Sequence, residues 1–354
     1  MGVFGDHAEA VNCFVAGTRI LADHGEVAVE ELAFGERVVT AAGQHRPIKW
    51  LGCRALDCRT HPRPRDVRPV RIAAHAFGDN KPTRDLYLSP GHAICADANG
   101  EVLVPVKALI NGSTVIQADA AKLTYWHIEL ATHDILLAEN LPAESYLDLG
   151  NRQFFRGADR LSSGGVPDAP PAAAEGANFC RPVYDSGVRI NLLRAQLREN
   201  AKDLGWRLQK SNFADLCAIA DGERLEAKTT GLAAEFAVPA ATRNLTLVCT
   251  PVRPSGLGLS DDTRELGVYL QRLTFDDDSG APVTIGADDE RLRTGFYNAE
   301  QGRRWTSGQA RIPHEMFADI SKGFTLRVEL ANPALPRWAP PPKPAPAKLK
   351  AGAG

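Results

Sequence analysis

The sequence predicts an all-β protein of two β-rich domains separated by a linker, and three observations carry that expectation. Short apolar runs rich in β-branched residues recur from Cys13 to about Asp148, each closed by Gly, Asn or Pro. Runs that alternate apolar and polar side chains return between Glu223 and Leu335. Between these regions Gly157 to Gly176 is dominated by Gly, Ser, Pro and Ala, which is linker composition. At 354 residues the chain exceeds one typical domain and suffices for two cores.

In chain order, strands are expected at Glu26–Leu32, Arg37–Thr40, Pro69–Ile72, Asp85–Leu88, Val102–Val104 and Trp126–Leu130. Asp23-His24-Gly25 and Asn99-Gly100 mark turns, the second a strong hairpin signal. Pro105–Leu109 fits one helical turn. Beyond the linker, Ile190, Leu192, Leu193, Leu197 and Leu204 fall at near-helical spacing and predict an amphipathic helix over Val188–Leu204. Ala234–Val238, Asn244–Thr250, Leu266–Phe275 and Phe324–Leu330 then suggest a β-sandwich. Pro340 to Gly354 has almost nothing to bury and is expected to be disordered. The expected organisation is a short segment 1–12, a first domain 13–151, a linker 152–176, a helix plus sandwich-like domain 177–338 and a tail 339–354.

Composition excludes several classes. The formal net charge is −2, with Lys and Arg dispersed, so no nucleic-acid partner is indicated. Seven irregularly spaced cysteines do not make a disulfide framework, and reduced thiols are expected. Met1 to His7 has neither a basic nor an apolar signal region, and Asp6 stands where myristoylation would want Ser or Thr. No apolar run is long enough for a membrane span. The location is therefore open between cytoplasm and export by a non-classical route. Cys53, Cys58 and His61 invite a zinc reading, but they lack paired knuckles and a fourth ligand beyond His45 or His75. Asp276–Gly280 lacks the closing Glu of a calcium loop and reads as a solvated turn. No metal or cofactor is expected.

The chemistry concentrates at Cys13, which opens the run Cys13-Phe14-Val15-Ala16-Gly17-Thr18. Read locally, it is either a small buried apolar residue or a nucleophile, and reactivity depends on its environment. As a nucleophile it has one upstream peptide bond directly in reach, Asn12–Cys13. The run, with Gly25, Val29-Glu30-Glu31-Leu32 and Gly35-Glu36-Arg37-Val38, resembles the first block of Hedgehog/intein (Hint) autoprocessing domains. Leu86-Tyr87-Leu88-Ser89-Pro90-Gly91-His92-Ala93 is similar to their second block, with Ser89 where Thr is usual. Tyr125–Leu130 through His133–Ala138 resembles their last β-hairpin. The resemblance spans about Asn12 to Asn151, is closest to the bacterial branch, and implies a horseshoe-like all-β fold.

An attack of the Cys13 thiol on the Asn12 carbonyl gives a thioester and frees the Cys13 amine. That uphill step needs a proton donor for the amine, help for the oxyanion and a held peptide. His92 fits the donor role, since imidazole moves protons near neutral pH. Ser89 could bond the scissile peptide or the oxyanion, or be a turn hydroxyl before Pro90. His127 occupies a late-block position and could activate the thiol, or be a strand histidine facing solvent. His133-Asp134 reads equally well as a polar turn. Inteins usually finish with His-Asn and a nucleophile, whereas this chain has Pro142-Ala143-Glu144-Ser145-Tyr146. The expected outcome is thus cleavage or acyl transfer to an external nucleophile, with the chain as its own substrate, and not splicing. No sterol-recognition region is identifiable.

Two other readings remain at this level. One is a non-catalytic, adhesin-like protein with a degenerate Hint scaffold, whose C-terminal domain binds carbohydrate or protein. Gly295-Phe296-Tyr297 and Arg303–Gly308 would then offer aromatic and basic groups for a sugar, unless they are core packing at a sandwich edge. The other is a conventional cysteine hydrolase, weaker because no Asn or Asp is assignable to orient its histidine.

Overall fold

Phe14 shows how the first domain is built around a very short strand. The computed structural model describes residues 12–149, 152, 155–157 and 178–342. Residues 1–11, most of the expected linker and the tail from 343 lie outside the described residues. The chain divides into two compact units, Met1–Leu204 and Gly205–Gly354.

The first unit contains β1 (Phe14–Val15), β2 (Arg19–Ala22), β3 (Gly25–Ala28), β4 (Arg37–Val39), β5 (His45–Pro47), β6 (Trp50–Asp57), β7 (Val70–Ile72) and β8 (Leu86–Leu88). It continues with β9 (Ala93–Asp97), β10 (Glu101–Pro105), β11 (Val115–Gln117), β12 (Lys122–Glu129), β13 (Ile135–Ala138), β14 (Leu141–Glu144) and β15 (Arg156–Gly157). One sheet runs β11-β7-β8-β1-β12-β6-β15, the other β10-β9-β14-β13-β2-β4-β5 with β3 on β2. Together they make a curled half-barrel, in line with the horseshoe-like all-β fold that the resemblance implied. β1 has only two residues, yet it is wedged between β8 and β12 with Phe14 fully buried. Burying a Phe relative to leaving it exposed contributes about 1.5–3 kcal/mol, so Phe14 fixes the position of its neighbour Cys13.

The turns follow their residues. Asp23-His24 joins β2 to β3, with Ala22 facing Gly25. Asn99 and Gly100 take φ of 61° and 106° between β9 and β10, a conformation that Asn and Gly tolerate better than other residues. The helical turn after Pro105 is a 3₁₀ turn, Val106–Leu109.

The boundary differs from the one composition suggests. The short helix Pro64–Val67 is α1, and the amphipathic helix is α2, Val188–Asp203. α2 belongs to the first unit, not to the sandwich. Ile190, Leu193 and Leu197 join the core of the first unit, Arg194 Nε donates to the Ala108 carbonyl at 2.9 Å, and Asn200 Nδ2 donates to the Ala76 carbonyl at 3.0 Å. A strap leads into the helix along β10: Leu103 N–H donates to the Pro182 carbonyl and Tyr184 N–H to the Leu103 carbonyl, each at 2.9 Å. A helix is assigned to whichever core takes its apolar face, and linker composition does not reveal that.

The second unit has two main sheets. One orders Glu223–Leu225, Cys217–Ala220, Leu245–Val248 and Gln309–Ile312; the other orders Lys228–Thr230, Ala233–Val238, Phe324–Leu330, Tyr269–Asp276 and Val283–Gly286. Ala218, Leu247 and Ile312 from the first share one core with Phe236, Phe275 and Val328 from the second, which is the packing of a sandwich.

Candidate active site

Antiparallel register assembles the site. Phe14 faces Leu88 on β8 and Trp126 on β12, so Cys13, one step back, falls opposite Ser89 and His127, one step on. The contacts follow. Cys13 N–H donates to Ser89 Oγ at 2.9 Å, Ser89 N–H donates to the Cys13 carbonyl at 3.0 Å, and Cys13 Sγ lies 2.9 Å from His127 Nε2. The N–H held by Ser89 is that of the Asn12–Cys13 peptide itself.

Cys13, Ser89, His92 and His127 are all buried. Burial pushes the Cys13 thiol well above its ordinary value, against the opposing effects of a hydrogen bond from Ser89 and the positive charge of Arg54. His127 is lowered to about 3, by burial first and the neighbouring His92 second, with the Asn12 backbone acting weakly the other way. Both partners are therefore neutral at pH 7, joined by one hydrogen bond whose donor is set by the His127 tautomer. The desolvation has visible authors: the rings of Phe155, Tyr146 and Trp50 lie 4.2, 5.0 and 6.4 Å from the His127 ring. Trp50 can lie there because Gly52, paired with His127, has no side chain; a Cβ at Gly52 would come within 2.1 Å of the indole.

His92 stands on the other side of the strand. Its ring packs edge-on against Phe14 at 4.4 Å, and its Nε2–H donates to the Glu144 carbonyl at 3.2 Å. Burial lowers its pKa, while the Glu144 charge and the backbone of Cys13 and Glu144 oppose this. Its Nδ1 is buried without a hydrogen-bond partner. Thus Cys13, Ser89 and His127 meet directly, and His92 lies behind them. His133 is not in a solvated turn: it is buried against Glu144, while Asp134 pairs with Arg46 at 3.1 Å.

A cavity of about 20 Å³ opens beside the sulfur, lined in part by Arg54, His61, Asp66, Tyr125 and Phe155. Arg54 and Tyr125 are cross-strand partners on β6 and β12, and no spacing in the sequence marks them. His61, considered above with Cys53 and Cys58, lies in this lining. Among the described residues no three His, Cys, Asp or Glu side chains converge as a metal site requires. In the second unit the residues considered for sugar stacking pack on their own domain. Trp305 stacks on Tyr269 at 4.5 Å, Tyr297 Oη–H donates to the Glu265 carbonyl at 3.1 Å, and Arg304 is buried.

The model of the Hint domain family matches residues 12–150. This stretch is a Hint domain. Among solved structures, a variant of the gp41-1 intein is similar at 10% identity and a TM-score of 0.28, covering 37% of this chain and 97% of that one. The bacterial intein-like domain from Clostridium thermocellum is similar at 15% identity and a TM-score of 0.26, covering 38% of this chain and 98% of that one. No curated protein matches the chain. The Hint domain thus accounts for the first unit up to β14 and its flank, while the strap and α2 lie beyond the matched residues.

Proposed function

We propose that the Hint domain performs one autoprocessing turnover on the Asn12–Cys13 peptide bond. The observation that carries this is the pairing of both ends of one residue: the Cys13 sulfur with His127 Nε2, and the Cys13 nitrogen with Ser89 Oγ. His127, neutral above about pH 3, takes the thiol proton as sulfur attacks the Asn12 carbonyl carbon. The C–S bond forms and the C–N bond breaks, its electron pair remaining on the Cys13 nitrogen. That nitrogen takes up one proton and leaves as an amine, so sulfur's loss balances nitrogen's gain. Ser89 holds the nitrogen throughout. His127 gives the thiol proton up to solvent, and neutral His92 takes one up at its Nδ1 lone pair and passes it to the departing nitrogen, which it does readily because burial has lowered its proton affinity.

The thioester is then resolved by water, which breaks the C–S bond, leaves a carboxylate on Asn12 and restores the thiol. A cavity of about 20 Å³ beside the sulfur supports water as the acceptor, since roughly 10–15 Å³ suffices for one molecule. Intact-mass spectrometry of the full chain, with and without dithiothreitol, tests the reading. Release of the segment preceding Cys13, accelerated by thiol and abolished by Cys13→Ala, is expected. An unchanged mass under both conditions refutes it.

A further inference from the structure

Behind His92 lies a largely buried chain of hydrogen bonds whose directions follow from the main-chain donors and acceptor at its ends. The Cys180 N–H of the strap points at His133 Nδ1 at 3.0 Å, so that nitrogen holds a lone pair and the proton sits on Nε2. His133 Nε2–H donates to Glu144 Oε2 at 3.2 Å, and the other carboxylate oxygen accepts Ala93 N–H at 2.7 Å. The main-chain oxygen of the same Glu144 accepts His92 Nε2–H at 3.2 Å. Glu144 therefore grips His92 twice, at its ring and at the next residue's amide. Burial lowers the proton affinity of His133, and contacts with Cys180 and Glu144 raise it, to about 9. A second proton on Nδ1 would nevertheless meet the Cys180 N–H head on, which favours the neutral imidazole.

We propose that Glu144 is a positioning residue for His92 and that His133 and the 178–184 strap hold Glu144 in place. The chain of bonds fixes the His92 lone pair on Nδ1, the nitrogen that handles the proton in the turnover proposed above, on which this inference rests. It also gives the segment beyond the family match a task in the chemistry.

Only a carboxylate satisfies the order of donors and acceptors. In Glu144→Gln the amide nitrogen must face either Ala93 N–H or His133 Nε2–H, and a switched His133 tautomer would face Cys180 N–H. One donor always opposes another. His133→Gln preserves the order, because its amide oxygen can accept from Cys180 and its nitrogen can donate to Glu144. A packing role predicts the opposite ranking, since Glu144→Gln keeps the shape and His133→Gln does not.

The test uses the full chain. Cleavage in Glu144→Gln is expected to slow about tenfold or more, and in His133→Gln by less than about threefold. Equal rates or the reverse ranking overturn the proposal. A second arm needs no activity: ring ¹⁵N shifts in the Cys13→Ala background should show both His92 and His133 as the Nε2–H tautomer from pH 6 to 8. An Nδ1–H tautomer at either, or a doubly protonated His133, overturns it. A wild-type chain that does not cleave refutes the autoprocessing reading, and the shifts still decide the bonding chain.

Discussion

The depressed proton affinity of His127 makes the Hint domain acid-labile by an amount that can be worked out. In the folded chain His127 titrates at about 3, against 6.5 for an unburied histidine. Between those values the unfolded state holds the extra proton and the folded state does not, so stability falls as pH drops below 6.5. At 1.36 kcal/mol per pH unit the loss is about 2 kcal/mol at pH 5 and approaches about 5 kcal/mol near pH 3. His92, lowered by burial as well, adds in the same direction. The comparison is Cys13→Ala with and without His127→Gln, which removes the His127 share. Hydrogen exchange of β12 amides at pH 7.5 and 5.0, corrected for intrinsic rates, reads the opening of this domain apart from the second unit. A direct titration of the labelled His127 ring accompanies it. A His127 midpoint near 6.5, or the same pH dependence in both variants, refutes the account of a His127 ring kept neutral by burial.

Three further outcomes are expected. Ser89→Ala leaves the Cys13 N–H without its acceptor and should slow cleavage by roughly 10²-fold, the lower range for a positioned polar group, as read by the rate of mass loss; an unchanged rate removes Ser89 from the mechanism. Gly52→Ala must displace the Trp50 indole and admit water to His127, so its ring should titrate above the wild-type value of about 3; no change would show that Trp50 does not keep the ring dry. Leu197→Ala on α2 should destabilise the first unit by about 2–5 kcal/mol and leave the second unit's melting unchanged, which differential scanning calorimetry resolves; the opposite result would return the helix to the sandwich.

The strands and their turns were legible because they are written locally. Asn99-Gly100 needs no partner to declare a hairpin, and Phe324–Leu330 alternates apolar and polar residues as a half-buried strand must. The fold of the first domain was legible for a different reason, since three blocks in order around Cys13, Ser89-His92 and Tyr125–Ala138 carried a family resemblance that periodicity alone could not supply. Even so, the resemblance said only that Cys13, Ser89 and His127 belong to one site. Their contact comes from register: Phe14 pairs with Leu88 and Trp126, and pairing is a property of three strands that no single strand encodes.

What stayed hidden is what depends on distance along the chain. Glu144 sits in β14, in the stretch Pro142–Tyr146 that the sequence marks only by the missing His-Asn ending, and its partners come from Ala93, His133 and Cys180. α2 was legible as a helix and illegible as a neighbour, because Ile190, Leu193 and Leu197 describe an apolar face without naming the core that receives it. These two omissions share part of their cause. Each has a partner in the chain after Phe179, Cys180 for the Glu144 bonds and α2 for the core, and composition separates that chain from the first domain by a Gly-, Ser- and Pro-rich stretch. Linker composition states that a segment cannot bury itself, and it is silent on whether the chain beyond it returns to the domain it left. Here the chain does return, with a strap along β10 and a helix on the core, and the Cys180 amide carried by that strap reaches the bonds that hold His92.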